Sequence, residues 1–137
     1  MLRTLFARLH TVVYRLLRGR LVGRWGKAPV LLLTTRGRRT GRPRTTPVLY
    51  LADGDAYAVV ATNDGAEAHP AWYLNLVANP ETEIEVSADH IAVTAETATA
   101  DERARLWPAL CDIYPHYARD QSRTTRELPV VLLRPRR

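Results

Sequence analysis

The stretch Val30-Leu31-Leu32-Leu33-Thr34-Thr35-Arg36-Gly37-Arg38-Arg39-Thr40-Gly41-Arg42-Pro43-Arg44-Thr45-Thr46-Pro47-Val48-Leu49-Tyr50-Leu51 decides the fold. Val30–Thr35 and Thr45–Leu51 are short runs of strand-forming residues, and the arginines, glycines and proline between them read as a connection at one edge of a sheet. Arginine presents a planar, permanently charged fork to phosphate or carboxylate, and glycine lets backbone N–H groups approach an anion closely. On residue chemistry alone the loop is either an anion cradle or a solvated basic turn.

Working outward, Pro29 leads into the first strand from a loose basic connection marked by Gly19, Gly23 and Gly26. Downstream, Asp53-Gly54-Asp55 signals a hairpin into a third strand, Ala56–Thr62, which Asn63-Asp64-Gly65 ends. His69-Pro70 opens a short helix from Ala71 to about Val77, closed by Asn79-Pro80. Thr82–Val86 and Ile91–Ala98 form another hairpin around Ala88-Asp89. Thr99 and Glu102 have the spacing of a capping box, opening a long helix through Arg103, Leu106, Leu110 and Ile113. A polar segment, 118–127, precedes the final strand, Pro129–Leu133. The expected architecture is α+β: about six mostly antiparallel strands forming a small barrel, an N-terminal helix, and a long helix before the last strand.

The chain has 137 residues, enough for one domain with its own core. Its formal net charge of +6 fits an anionic partner without choosing among nucleic acid, membrane surface and phosphorylated small molecule. The charge is unevenly spread. The first acid is Asp53, twelve Lys or Arg precede it, and the rest of the chain holds the other eight together with all fourteen acids. Cys111 is the only cysteine, which excludes an intrachain disulfide or thiolate zinc cluster and points to a reducing, cytoplasmic compartment. His10, His69, His90 and His116 show no short metal-ligand spacing, and no glycine-rich phosphate loop ends in Lys-Ser or Lys-Thr, so no metal site is expected.

Residues 1–25 read as an amphipathic helix and connection, with Leu2, Leu5, Phe6, Leu9, Val12, Val13, Leu16 and Leu17 on one stripe. Arg3, Arg8, Arg15 and Arg18 interrupt it too often for a bilayer span or a signal peptide. The stripe packs on its own domain, or residues 1–20 make peripheral contact with the inner face of a membrane.

Two further places could carry chemistry. At Val60-Ala61-Thr62-Asn63-Asp64-Gly65, small side chains followed by turn residues either let a planar ring lie against backbone or simply end a strand. Trp72 and Tyr73 on the short helix, and Tyr114, His116 and Tyr117 after the long one, supply aromatic surface, for which core packing is the default. A tyrosine hydroxyl, protonated at neutral pH, suits donation to a carbonyl or nitro oxygen. Cys111 reads as a small core residue.

Several of these residues carry a family resemblance. Pro29-Val30-Leu31-Leu32-Leu33-Thr34-Thr35-x-Gly37-Arg38-x-x-Gly41-x-Pro43-Arg44-x-x-Pro47, then His69-Pro70-Ala71-Trp72-Tyr73-x-Asn75-Leu76-x-Ala78-Asn79-Pro80, then Arg103-x-x-x-Trp107-Pro108 and Tyr114-Pro115, closely resemble the deazaflavin-dependent nitroreductase family of coenzyme F420H2-dependent reductases. The resemblance implies a split β-barrel over residues 26–137 that binds coenzyme F420, whose tail carries a phosphodiester and a polyglutamate chain. It implies that Arg38, Arg39, Thr40 and Arg44 hold the tail, that Gly41, Pro43, Thr45, Thr46 and Pro47 shape the loop, and that Val60, Ala61, Thr62, Asn63, Asp64 and Gly65 flank the ring, with Trp72 nearby.

Tyr114 and Tyr117 match positions on the acceptor side, where they would orient or protonate a quinone, enone or nitroaromatic receiving hydride. Asn63-Asp64 replaces a Lys-Gly common in relatives. Leu49 and Asp120 stand where a nitroimidazole-reducing relative has tyrosines. The alternatives are a split barrel using FMN, a non-catalytic carrier of the coenzyme, and a basic nucleic-acid-binding module, which would need aromatics interleaved with the arginines. The acceptor and the oligomeric state stay open.

Overall fold

The structure is a computed structural model that describes residues 24–25 and 28–136. The expected helix in the first 20 residues lies outside them. Strand β1 (Arg24–Trp25) pairs with the start of β2 (Ala28–Arg36). β2 then pairs along its length with β3 (Pro43–Leu49), in a register running from Val30↔Leu49 to Arg36↔Pro43. Pro43 and Pro47 have the same parity in β3, so both missing N–H groups fall on its outer edge, where no ladder needs them.

The remaining strands are β4 (Leu51–Asp53), β5 (Ala56–Val60), β6 (Glu81–Val86), β7 (Asp89–Thr97) and β8 (Val130–Pro135). From β2 the sheet continues β6-β7-β8-β5-β4, every pairing antiparallel. β3 and β4 are therefore the two ends of this path, yet only Tyr50 separates them in the chain. The sheet has to curl until its edges meet at that corner, and this is the split barrel. Tyr50 N–H closes the corner by donating to Pro29 C=O at 3.0 Å.

Among the described residues eight strands stand where about six were expected, because β1 adds a short pairing and the run Thr45–Leu51 breaks at Tyr50. Helix α1 (Ala71–Ala78) and helix α2 (Ala100–Ile113) fall where capping signals put them. Thr99 Oγ1 accepts from Glu102 N–H at 3.2 Å, and Glu102 Oε1 accepts from Thr99 N–H at 2.9 Å. The polar segment 118–127 is not all connection: helix α3 (His116–Ser122) occupies its first half. Its one inward turn carries the buried Tyr117 and Asp120, too brief a period to read from sequence.

Two apolar clusters fill the described part of the molecule. Leu31, Leu33, Val48, Val59, Ile84, Val93, Val131 and Leu133 point into the curled sheet, closed by Leu76 and Trp72 of α1. On the outer face Val30, Leu49, Ala58, Val60, Val130 and Leu132 meet Leu106 and Leu110 of α2 and Tyr117 of α3. Val59 and Val60 thus face opposite sides of β5, as strand alternation requires.

Candidate functional site

The arginine loop leaves the sheet between β2 and β3. Gly37 N–H donates to Arg42 C=O and Gly41 N–H to Gly37 C=O, each at 2.8 Å, and Thr40 Oγ1 accepts from Arg42 N–H at 3.2 Å. A Cβ on Gly37 would lie 2.8 Å from Thr40 Oγ1, so the tight closure of the turn depends on glycine there. Arg36, Arg38, Arg39, Arg42 and Arg44 are all exposed, and among the described residues none pairs with a carboxylate. This donor set suits a polyanionic ligand, because five unneutralised guanidiniums repel one another until an anion joins them.

The loop is braced from beneath. Asn75 of α1 is only 3% exposed, and its Oδ1 accepts from Arg38 N–H at 3.1 Å and from Arg38 Nη1 at 3.4 Å, while its Nδ2 donates to Thr35 Oγ1 at 3.2 Å. Thr45 and Thr46 lie in β3 behind the loop, and the Thr45 hydroxyl is 3.0 Å from that of its register partner Thr34. Asn75 belongs to a recognisable motif but signals no role by itself. Its place about one helical turn after the inward-packed Trp72 is the available clue.

Beyond Val60 and Ala61, both buried, the chain turns through a 3-10 turn at Asn63–Gly65. Asn63, Asp64 and Gly65 all take left-handed backbone, with φ of 49°, 57° and 76°. α3 packs directly on this turn. Asp120 on α3 is 9% exposed; burial raises its carboxyl pKa, nearby Asp64 adds to the rise, and Arg123 and His116 oppose it.

The aromatic candidates separate. Trp72 packs with the barrel interior, whereas Tyr114 and Tyr117 pack with the outer cluster. Their rings meet edge to face at 5.0 Å, and Tyr114 also lies 4.8 Å from the His116 ring. Tyr117 is 5% exposed and burial pushes its hydroxyl pKa upward, so of the pair Tyr114 is the more accessible. Cys111 is half-buried with its thiol pKa raised by burial, in keeping with a packing residue. Among the described residues no cluster of His, Cys, Asp or Glu could hold a metal, and no helix is long and apolar enough to cross a membrane.

Comparison with known proteins gives this geometry its setting. The family model described as F420H(2)-dependent quinone reductase matches residues 6–135. The chain belongs to that family. An F420H(2)-dependent quinone reductase of Mycobacterium tuberculosis is 44% identical over 130 residues, covering 92% of this chain and 87% of that protein. The solved F420-H2 dependent reductase FDR-A superposes with a TM-score of 0.71 at 33% identity, covering 77% of this chain and 93% of that one. Another solved neighbour, described as a domain-swapped dimer, has a TM-score of 0.72 and 29% identity, covering 91% of this chain and 96% of that one. The protein is an F420H2-dependent oxidoreductase with the split-barrel fold, and coenzyme F420 is its cofactor. The quinone reductases, rather than the nitroreductases of the sequence resemblance, give the family its description.

Proposed function

We propose that this family member reduces a quinone-class acceptor by two electrons, gripping the coenzyme tail in the arginine loop. The observation that carries the reading is the exposed set Arg38, Arg39 and Arg44, unpaired with acids among the described residues and fixed at its base by Asn75. When bound, the reduced deazaflavin supplies a hydride.

In this reading Arg38, Arg39, Thr40 and Arg44 bind phosphate and carboxylates, while Gly41, Pro43, Thr45, Thr46 and Pro47 hold the loop open to them. Val60, Ala61, Thr62 and the Asn63–Gly65 turn flank the ring, and Trp72 steadies α1 on the other side of β5. Tyr114, backed by the buried Tyr117, orients the acceptor oxygen by hydrogen bonding. Hydride uptake leaves the acceptor needing one proton for balance, which Tyr114 or solvent donates. Contact of residues 1–20 with a membrane surface would bring the site to lipid-soluble quinones; that element rests on the apolar stripe of the sequence.

Mixing the purified chain separately with oxidised F420 and FMN, then mixing the F420H2-loaded protein with menadione, tests the reading. Binding of F420 with rapid menadione-dependent oxidation is expected. Tight FMN binding without F420 binding would overturn it, and coenzyme binding without turnover would make the chain a carrier. Vesicle flotation with and without residues 1–20 tests the membrane element, which equal flotation of both forms would remove.

A further inference from the structure

Three consecutive left-handed residues at 63–65 need support, because side chains with a Cβ enter that region at a cost and stay there only when their surroundings hold them. The local hydrogen bonds include Gly65 N–H to Thr62 C=O, Ala66 N–H to Asn63 C=O, and Asn63 Nδ2 to Ala68 C=O, at 3.0, 3.0 and 2.9 Å. Further support comes from a side chain about sixty positions away. Arg126 Nε donates to Ala66 C=O at 2.8 Å, and its Nη2 donates to Thr62 C=O at 2.9 Å and to Ala68 C=O at 3.3 Å. Its Nη1 lies 3.2 Å from His69 Nδ1, and since a guanidinium only donates, that nitrogen accepts.

One guanidinium thus grips three carbonyls and a ring along the loop 62–69. Arg126 is itself anchored. Gln121 on α3 donates from Nε2 to Arg126 C=O at 2.8 Å, while its Oε1 accepts from Leu128 N–H at 2.9 Å and from Arg103 Nη2 at 3.0 Å. The Arg103 guanidinium carbon sits over the Trp107 ring, 4.2 Å from its centroid. A polar chain therefore runs from α2 through α3 to the loop. It forms no carboxylate pair at Arg126 among the described residues, so the charge of Arg126 is directed at backbone. Burial, and then the neighbouring Arg126 charge, lower the His69 pKa, which keeps its Nδ1 lone pair available.

We propose that Arg126 is a positioning residue for the coenzyme: it holds the left-handed turn 63–65 in the shape that meets the deazaflavin ring, without touching the ring itself. The proposal rests on the reading that Val60–Gly65 flank that ring. Lysine at this position would keep the charge but lose the planar fork that reaches several carbonyls at once, which makes R126K a sharper probe than removal of the side chain.

The test compares full-length wild type, R126K and R126A by amide hydrogen exchange, F420 titration and steady-state kinetics with menadione. In both variants the Gly65 and Ala66 amides should exchange at least about tenfold faster while β5 and β8 amides hold their wild-type rates, and F420 should bind at least about tenfold more weakly. The KM for F420H2 should rise with the menadione KM unmoved. Should R126A fail to fold, R126K alone carries these measurements. Unchanged exchange at 65–66, or faster exchange with unchanged F420 affinity, overturns the positioning role and leaves the functional reading standing. Failure of the wild type to bind F420 overturns both, while the exchange rates still report whether Arg126 grips the loop.

Discussion

Gly41 in the arginine loop and Gly65 in the left-handed turn share nearly the same backbone, φ +73° and +76°, but their surroundings differ completely. A Cβ at Gly41 meets nothing within 4 Å, whereas one at Gly65 would lie 2.7 Å from the Asp120 carbonyl oxygen. The first loop projects into solvent and, as the proposed grip on the coenzyme tail, would act through residue type and charge. The second is pressed under α3 and, as the proposed flank of the ring, would act through backbone shape. A coenzyme with a flexible anionic tail and a flat ring suits both constructions, since a tail tolerates an adaptable grip and a ring does not.

The largest effect should come from filling the tight glycine. Gly65→Ala combines a left-handed penalty of about 1–2 kcal/mol with overpacking of about 1–3 kcal/mol, so a loss of about 3 kcal/mol in urea unfolding is expected. Gly41→Ala should lose no more than about 1–2 kcal/mol, because only backbone strain applies. Equal losses would erase the contrast between the two loops.

Charge removal should act in the opposite sense, on binding and not on stability. Arg38→Ala with Arg44→Ala deletes two exposed guanidiniums, and F420 affinity should fall by a few kcal/mol, roughly a hundredfold, at nearly unchanged Tm. The wild-type affinity should weaken with added salt more steeply than that of the double variant. An unchanged dissociation constant would remove the loop from the site.

Asn75→Ala lies between these cases. It strips partners from the buried Thr35 hydroxyl and from Arg38 N–H, so about 1–3 kcal/mol of stability should be lost along with part of the coenzyme affinity. Loss of stability with full affinity would mean that the loop holds its shape without α1.

The contrast also explains what could be read from the residues. The arginine loop was legible as a basic connection because charge and turn chemistry reside in residue type, and the strands beside it were legible because β-forming runs and turn residues alternate locally. The two sheet edges meeting at Tyr50 were not. That closure depends on β2–β6, β5–β8 and β7–β8 pairings between distant segments, which leave no local pattern. Val60–Gly65 could be marked as a strand end, but its three positive φ angles could not, since Asn and Asp tolerate that region without requiring it. Arg126 sat in a polar segment where nothing separates a loop clamp from a solvated arginine. Tyr114 and Tyr117 were equivalent in sequence, and only the packing of α3 buries one more deeply than the other.

The smallest effect concerns the carboxyl pressed against the turn. Asp120 has its folded pKa raised above that of an ordinary aspartate, chiefly by burial and then by Asp64. The native state therefore holds this proton to higher pH than the unfolded chain does, and stability falls as pH rises from the unfolded pKa through the raised folded one. Asp120→Asn keeps the shape and removes the titration. It should match wild type below about pH 4, where both side chains are neutral, and exceed it modestly at pH 7 in urea unfolding. Asp53 slopes the other way, since its hydrogen bonds to Arg105, at 3.0 Å on each oxygen, lower its pKa and lend stability that is lost as pH falls through the folded value. Both proteins in the comparison retain Asp53, so it cancels in the difference. A D120N protein less stable than wild type at pH 7 would mean that the ionised carboxylate supports the turn, and the rigid side of the site would then owe part of its shape to charge.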